Sequence, residues 1–523
     1  MIAPAQPQRA ATSAPRSPRD DVVLRLKLAY DETDMGNARR LVIDHRRVLR
    51  YVPGLDWFHY NGTHWERDVD GQAMRLAKAT VRSILDEANE MYADAAKIDV
   101  LENFASAQKK ADVRLAHAKR SQSQPRLDAL LACASTEPEF VLAAEKLDAD
   151  PWLLNTPNGT IDLRTGNVRE HRADDHITRI TGTTIEAIAT PRWDEYLATT
   201  FAGDVALIDC FQRRIGYTLT GDTREQVMFL AVGDGENGKT TGMEAIAAML
   251  GDYSTAADPS TFTTAASDRA ARSDLARLRG ARLVSGDEID TGAQLAESLV
   301  KRLTGGDRIT ARFLYRDEFE FRPVMKLWLT VNRLPRVDGD DHAIWRRLQV
   351  IPFTTRIRRP DKALPRKLRA ELPGILAWAV RGCLEWQRDG LGTCGAIDHA
   401  AAGYRRHEDR VGLFLDECCE LDPAARVENG ALRDAYQAWE KARGGTPAAD
   451  LLDRLDKRGF ATYRTKTARG RAGLRLTTED PSGDGGDTQS ETFHTRPRVE
   501  VSERVSPGVT PRVESPANTG DSA

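Results

Sequence analysis

The sequence predicts an α/β protein: a parallel sheet covered by helices, with a mixed helical and β region before it and a winged-helix-like domain after it. Three observations predict this class. A strand-helix alternation runs from Val227 to about Phe353, as in parallel sheets. Hairpin signals such as Asn158-Gly159 stand between short apolar runs upstream. Three helical patterns and two short strands occupy about Asp409 to Thr478, the order of a winged helix-turn-helix.

Length and composition indicate several domains in one chain. The 523 residues exceed one ordinary core, and a net charge of -3 means that any nucleic-acid contact must come from local basic patches. Six cysteines without CxxC or Cys/His spacing predict reduced core thiols, not a disulfide framework or a zinc site. No apolar run approaches the roughly 20 residues that cross a bilayer. We expect a cytoplasmic protein with no membrane partner.

Composition shifts divide the chain into seven segments. The two ends are rich in small and polar residues and are expected to be disordered. Long helical patterns between about Met74 and Ala134, broken near Pro125, dominate the first ordered segment, after a tight turn at Asn61-Gly62. The segments are a tail (1–20), a mostly helical domain with a hairpin (21–150), a small β-rich region (151–200), the α/β core (201–355), a helical segment (356–405), the winged-helix-like domain (406–478) and a second tail (479–523).

One glycine-rich stretch has the spacing of a phosphate-binding loop. In "VMFLAVGDGENGKTTGMEAIAAML", four residues separate Gly233 from Gly238-Lys239-Thr240. Such a loop brings backbone N–H groups to phosphate oxygens, its lysine to the β/γ-phosphates and its hydroxyl to Mg²⁺. A glycine-rich turn without a ligand is the alternative, which the flanking strand and helix disfavour. The predicted nucleoside triphosphate site comprises Gly233, Asp234, Gly235, Glu236, Asn237, Gly238, Lys239, Thr240 and Thr241.

Two later strand patterns end in polar residues that suit hydrolysis. "ARLVSGDEID" ends in Asp287, which would hold Mg²⁺ together with Thr240, and Glu288, which would polarise the attacking water. A solvent-facing acidic pair is the alternative. "MKLWLTVNRLP" ends in Asn332, which would touch the γ-phosphate or its water, or alternatively cap a turn.

Two arginines, Arg346 and Arg347, follow in "AIWRRLQVIPF". An arginine that closes the γ-phosphate site of another subunit raises turnover by about three to five orders of magnitude in known NTPases. We expect one of these two arginines to act on a neighbouring copy of the chain. That role requires a ring.

At this point the sequence resembles the superfamily 3 helicases, of the phage, plasmid and poxvirus type found as the C-terminal half of primase-helicases. The resemblance is carried by "DPWLLNTPNGTIDLRTG", "RRIGYTLTGDTREQVMFLAVGDGENGKTT" and, most specifically, "SLVKRLTGGDRITARFLYRDEFEFRPVMKLWLTVNRLP". It implies an AAA+-like ATPase core in which Lys239 and Thr240 are the Walker A residues, Glu288 the Walker B acid and Asn332 the sensor. Arg346 or Arg347 matches the arginine finger.

The chain also departs from that family. A small polar residue often stands where this chain has Asp287, so Glu288 is the safer base. The roughly 150 residues upstream offer neither an acidic catalytic pair nor a zinc-binding cysteine set. The resemblance therefore does not imply primer synthesis by this chain, although a separate primase is a possible partner.

The resemblance also implies that 301–321 lines the central channel of a hexamer and touches single-stranded DNA. Two alternating strands with Tyr315-Arg316-Asp317 at the hairpin tip suit such a contact, because a basic and an aromatic group bind phosphates and bases without reading sequence. The alternative for each basic residue is a solvated sheet face, and for the winged-helix-like module a small interaction domain. The candidate DNA-binding residues are Lys301, Arg312, Tyr315, Arg316, Arg464, Lys466, Arg469 and Arg471.

Two functional hypotheses follow. The first is an ATP-dependent, hexameric DNA helicase that acts on single strands and fork duplex during replication of a phage, prophage or plasmid in a bacterial host. The second is a DNA-binding initiator or scaffold that uses ATP as an assembly switch and does not unwind. A metabolite kinase is weaker, because it leaves the DNA-type signature unexplained.

Overall fold

The computed structural model describes residues 26–264, 274–287, 292–312, 319–337, 342–443, 450–465 and 468–477. The helices are α1 Asp34–His45, α2 Gln72–Ala95, α3 Leu101–Arg120, α4 Gln124–Ala134, α5 Pro191–Thr200, α6 Val205–Thr218, α7 Lys239–Leu250, α8 Glu297–Gly305, α9 His342–Trp345, α10 Leu364–Asp389, α11 Gly395–Glu408, α12 Arg410–Cys418, α13 Asn429–Ala442 and α14 Leu451–Lys457. The strands are β1 Leu49–Val52, β2 Asp56–Tyr60, β3 Trp65–Arg67, β4 Leu153–Thr156, β5 Gly159–Asp162, β6 Asn167–Arg169, β7 Met228–Val232, β8 Ser254–Ala256, β9 Leu283–Asp287, β10 Ile309–Ala311, β11 Phe319–Phe321, β12 Lys326–Val331, β13 Leu348–Pro352, β14 Cys419–Glu428, β15 Thr462–Arg464 and β16 Arg469–Leu476.

The first part of the described chain packs helices α1–α4 with the antiparallel sheet β1-β2-β3. The predicted hairpin joins β2 to β3, and Pro125 lies at the start of α4, as expected from the break in the pattern. An ion-paired group is buried among these helices. The carboxylate of Glu87 accepts from Arg40 Nε at 2.9 Å and also pairs with Arg114.

A small antiparallel meander, β4-β5-β6, follows and confirms the predicted hairpins. It is not separated from the first part at residue 150, where the composition changes. Trp65 Nε1 donates to Ala173 O at 2.7 Å, and Asn155 Nδ2 donates to Thr63 O at 3.0 Å. The two regions therefore pack together across the predicted boundary.

The centre of the molecule is the predicted parallel sheet, with strands in the order β13-β7-β12-β9-β8. All its pairings are parallel. Its strands read as apolar runs because both faces are covered. Alternate residues of the same strands face opposite cores: Phe229 and Trp328 belong to one, while Leu230 and Leu329 belong to the other.

Helices α5, α6, α7 and α10 supply the core on one face of this sheet. The long helix α10 lies in the predicted helical segment and is buried on more than one side, and Pro373 lies inside it. The helical segment that we separated at residue 356 therefore packs into the α/β core. The six cysteines, all within the described ranges, form no disulfide.

In its described residues, the C-terminal module has three helices and a three-stranded sheet, β14-β16-β15. The predicted helices and the last two strands are present. Strand β14 was missed: only two strands were predicted in this region, whereas a third strand begins at Cys419, directly after α12. Pro423 and a register shift between Leu421 and Arg426 interrupt the alternation that marks a strand.

No helix in the described ranges is both long enough and apolar enough to cross a membrane.

Candidate active site

The glycine-rich loop joins the end of β7 to the start of α7, which is the strand-to-helix context that the sequence predicts. Gly235, Glu236 and Gly238 have φ values of 60°, 49° and 84°, in the left-handed region that favours glycine. Gly238 directly precedes Lys239, the first residue of α7. The loop thus turns back on itself, and the N-terminus of the 12-residue helix α7 points towards the space that the loop encloses.

Two further glycines are required by close packing. A Cβ at Gly233 would lie 2.1 Å from Phe353 O, and a Cβ at Gly242 would lie 2.1 Å from the Tyr196 hydroxyl. That hydroxyl donates to Gly238 O at 3.1 Å, and burial raises the pKa of Tyr196, so the group stays a neutral donor. Neighbouring elements therefore hold the loop closely against α5 and the end of β13.

Lys239 lies under the loop and is only 5 % exposed. Its Nζ donates to Gly233 O, to Asn237 Oδ1 at 3.2 Å and to Asn332 Oδ1 at 3.3 Å. The predicted lysine and sensor asparagine, 93 residues apart in the chain, are thus in direct contact.

Asp287 ends β9 and is exposed. Its Oδ1 accepts a hydrogen bond from Thr330 Oγ1 on β12, the residue opposite it in the strand register. Glu288, the predicted base, lies outside the described residues.

Strand order explains how these residues meet. β12 pairs with β7 on one side and with β9 on the other, so Asn332 emerges next to the glycine-rich loop and Asp287 one strand further away. The carboxyl ends of parallel strands form the edge at which such sheets bind ligands. Three predicted site segments therefore share one edge.

Sequence reasoning missed the segment that follows β13. Asn237 Nδ2 donates to Phe353 O at 2.9 Å, Ile357 N donates to Glu236 O at 2.8 Å, and Arg356 Nη2 pairs with Glu236 Oε2 at 2.9 Å. Residues 353–357 therefore form a strap along the loop. The only sequence signal was the basic run "RIRR", which has no motif spacing.

Arg346 and Arg347 lie at the opposite edge of the sheet. Arg347 O accepts a hydrogen bond from the N–H of Met228, the first residue of β7. The glycine-rich loop follows the other end of this five-residue strand, roughly 15 Å away at about 3.3 Å per residue. Arg346 is exposed, contacts Gln226 Oε1 at 3.1 Å and lines a groove of about 530 Å³ between β13 and α11. Arg347 is buried and donates to Ala343 O and Gln226 Oε1. Neither side chain reaches the loop of its own chain.

The candidate channel segment is described in part. β10 and β11 pair antiparallel, which confirms the base of the predicted hairpin. Lys301 on α8 lies 3.5 Å from Glu297, and Arg312 is exposed just after β10. Tyr315 and Arg316, at the predicted tip, lie outside the described residues.

The basic residues around the last hairpin divide into two kinds. Arg464 and Arg469 are exposed and face each other in the β15–β16 register. Arg471 is 3 % exposed and donates to Leu452 O at 3.0 Å and Asp456 Oδ2 at 2.9 Å. We predicted Arg471 as a DNA contact, but its side chain is not accessible. This arginine is buried and forms hydrogen bonds inside the module. Lys466 lies outside the described residues.

Two family models match the chain. Residues 38–202 match "D5 N terminal like", and residues 231–347, which include the glycine-rich loop and Asn332, match a family of unknown function, DUF5906. The first match runs across residue 150, in agreement with the packing of the two regions.

Several viral proteins are similar to this chain. The candidate helicase L207/L206 of Acanthamoeba polyphaga mimivirus is 30% identical over 46% of this chain and 26% of its own length. The candidate helicase 022R of Frog virus 3 is 26% identical over 44% of this chain and 26% of its own length. The candidate primase C962R of African swine fever virus is 25% identical over 56% of this chain and 34% of its own length.

The chain thus spans about a quarter to a third of the length of these relatives. Among solved structures, the A-form apo structure of the NrS-1 C-terminal region aligns with 55% of this chain and 76% of that chain, at 13% identity and a TM-score of 0.37. Residues 38–202 thus match a D5-type family model, and the viral proteins to which the chain is similar are named as candidate helicases and primases.

Proposed function

We propose that this chain is the ATP-hydrolysing motor of a ring-forming DNA helicase that serves phage, prophage or plasmid replication in the cytoplasm of a bacterial host. The observation that carries the proposal is the contact between Lys239 and Asn332, with Asp287 at the end of the next strand. The relatives named as candidate helicases support the same conclusion.

The described residues fit ATP with Mg²⁺. The loop residues from Asp234 to Glu236 are exposed, and the buried ammonium of Lys239 lies directly beneath them. Thr240 is exposed in the first turn of α7, and Asp287 is exposed at the end of β9. A hydroxyl and a carboxylate are thus open to a cation that takes few protein ligands and keeps several waters. Mg²⁺ would supply charge neutralisation at the phosphates.

Each residue of the candidate site would then have a distinct role in hydrolysis. Lys239 would exchange its contact with Gly233 O for a phosphate oxygen and neutralise charge there. Asn332 would hold the attacking water in line, and Glu288 would accept the proton from that water. Arg346 would reach the γ-phosphate of a neighbouring copy, because the loop of its own chain lies about five strand residues away.

Coupling to DNA would run through the segment from α8 to β11. The chain sequence connects β9, which ends at Asp287, to β12, which leads to Asn332, through this segment. Binding or hydrolysis of ATP at the carboxyl ends of these strands would therefore move Lys301, Arg312 and the β10–β11 hairpin. In a hexameric ring, the same movement would draw one DNA strand through the central channel.

The decisive experiment measures ATP hydrolysis, particle mass and strand displacement on a forked DNA substrate with the same preparation. We expect DNA-stimulated hydrolysis, a hexameric mass in the presence of ATP, and displacement that Lys239→Ala abolishes. Arg388→Ala, an exposed arginine paired with its neighbour Asp389, is the matched control and should behave like the wild type.

A second outcome would favour an ATP-switched initiator or scaffold. In that case ATP changes the particle mass, hydrolysis is insensitive to single-stranded DNA, and no strand is displaced. That result would overturn the helicase proposal and leave the assignment of the nucleotide site intact.

A further inference from the structure

The C-terminal module has the element order of a winged helix: α12, β14, α13, α14, β15 and β16. In helix-turn-helix proteins the last helix of the motif lies in the DNA major groove. The corresponding helix here is α14, at Leu451–Lys457. The surfaces of α14 and of the β15–β16 hairpin can therefore be compared as DNA-binding elements.

Helix α14 is poorly suited to a groove lined by phosphates. Asp450, Asp453 and Asp456 are exposed on or beside it. Two basic side chains of this region form ion pairs inside the module: Arg454 with Asp450 at 3.0 Å, and Arg458 with Asp409. Entry into a groove would bring three carboxylates towards the DNA backbone and would require those ion pairs to break.

The hairpin presents the opposite charge. Arg464 and Arg469 are directly opposite each other in the β15–β16 register, and both are exposed. Like charges at directly opposed positions destabilise a strand pair. Within the part of the chain that the structure describes, no carboxylate forms an ion pair with either arginine. A phosphate at this position would remove the repulsion.

A third exposed arginine lies on the other face of the same sheet. The guanidinium of Arg426 on β14 lies 5.5 Å from the centre of the Tyr463 ring on β15, across the intervening strand β16. Gly470 makes this contact possible, because a Cβ there would lie 2.5 Å from the Tyr463 ring. The basic and aromatic groups are therefore concentrated at one end of the sheet.

We infer that the module binds duplex DNA through this end of its sheet, which we call the wing, and that α14 does not enter a groove. Arg464 and Arg469 contact backbone phosphates, and Arg426 adds a third positive charge, held by the Tyr463 ring. Contacts of this kind position a protein on DNA without reading sequence. Binding is therefore expected to be independent of sequence and strongly dependent on salt.

The test is equilibrium binding of the full chain, without nucleotide, to a blunt-ended fluorescent duplex over a range of salt concentrations. Replacing both Arg464 and Arg469 by alanine should weaken binding roughly tenfold or more at low salt. It should also reduce the slope of log K against log[salt] by about two, because each lost phosphate contact removes about 0.9. Arg426→Ala should reduce the slope by about one.

Two matched controls separate the wing from α14. Arg475 is exposed on the same strand β16 but paired with Glu420 at 2.6 Å, and Arg475→Ala should leave the slope unchanged. Lys457 is exposed on α14, and Lys457→Ala should change affinity by less than about twofold. Loss of duplex binding in Lys457→Ala, or an unaltered slope in the wing double variant, would overturn the inference.

The outcome is independent of the proposed motor activity. ATP hydrolysis in the absence of DNA should be equal in the wing variants and the wild type, and circular dichroism should show the same helix content. If hydrolysis were absent from all proteins while the wing variants still lost duplex binding, the motor proposal would fail and the wing assignment would stand.

Discussion

The ammonium of Lys239 lies 3.3 Å from the side-chain oxygen of Asn332, although 93 residues separate them in the chain. The contact exists because β12, which leads to Asn332, pairs with β7, which leads to the loop before Lys239. It joins the lysine proposed to bind phosphate to the group proposed to orient water. Substitution of each residue in turn should separate these two roles.

Asn332→Ala should leave nucleotide affinity within about threefold of the wild type and lower the hydrolysis rate by roughly 10²- to 10³-fold. The reason is that a positioned polar group acts mainly on the transition state, whereas Lys239→Ala should lose nucleotide binding itself. Fluorescent-nucleotide titration and phosphate release measure the two effects. Asn167→Ala, at an exposed asparagine of the β4-β5-β6 meander, is the control. Equal losses of binding and hydrolysis in Asn332→Ala would contradict the assignment.

Arg346 is expected to complete the site of a neighbouring copy. Lys239→Ala and Arg346→Ala proteins should each be inactive alone, and a mixture should recover part of the hydrolysis at interfaces that combine an intact loop with an intact arginine. The readout is phosphate release as a function of mixing ratio. If both variants form rings and the mixture stays inactive, the finger is not Arg346.

The two adjacent arginines should also differ in stability. Arg347 is buried and bonded to Ala343 O and Gln226, whereas Arg346 is exposed. Arg347→Ala should lower the free energy of unfolding by about 1–3 kcal/mol, because it removes buried hydrogen bonds. Arg346→Ala should change it by less than about 0.5 kcal/mol. Urea unfolding of both variants measures the difference, and equal destabilisation would contradict their different burial.

Gly242 is expected to tolerate no side chain. A Cβ there would lie 2.1 Å from the Tyr196 hydroxyl, so Gly242→Ala should destabilise the core by about 1–3 kcal/mol. The cost should be smaller in a Tyr196→Phe background, which lacks that oxygen. Gly403→Ala is the control: nothing lies within 4 Å of its Cβ position in helix α11, and alanine should raise stability by about 0.5–1 kcal/mol. An equal cost in both backgrounds would show that the hydroxyl of Tyr196 is not the obstacle.

Lys326 should make stability depend on pH. Its ammonium is buried at 1 % exposure, and burial, with Arg282 nearby, lowers its pKa well below the usual 10.5. Between the lowered pKa and 10.5 the unfolded chain binds more protons than the folded one, so the free energy of unfolding rises with pH across that window.

Lys326→Met removes this titration, and the rise in unfolding free energy between about pH 7 and about pH 10 should become shallower. Lys367→Met is the control, since the side chain of Lys367 is 40% exposed and pairs with Asp361 at 2.6 Å. Urea midpoints at several pH values measure the slope. An unchanged slope in Lys326→Met would mean that another group carries the pH dependence.

Local patterns predicted much of this fold and part of the site. The strand, turn and helix around Lys239, the β4-β5-β6 meander and the β10–β11 hairpin follow from apolar periodicity and from turn residues, which act over a few neighbours. Strand β14 was missed because a proline and a register shift interrupt its alternation.

The sequence by itself determined that a glycine-rich loop joins a buried strand to a helix, and that polar residues end two later strands. Only the tertiary structure decided that Asn332 adjoins Lys239, that the strap at Arg356 crosses the loop, and that Arg471 is buried while Arg464 is exposed. The physical reason is that strand order and side-chain burial depend on which apolar faces pack together across the whole chain. Strand order and burial therefore depend on segments that are distant in sequence, and a short sequence pattern cannot predict them.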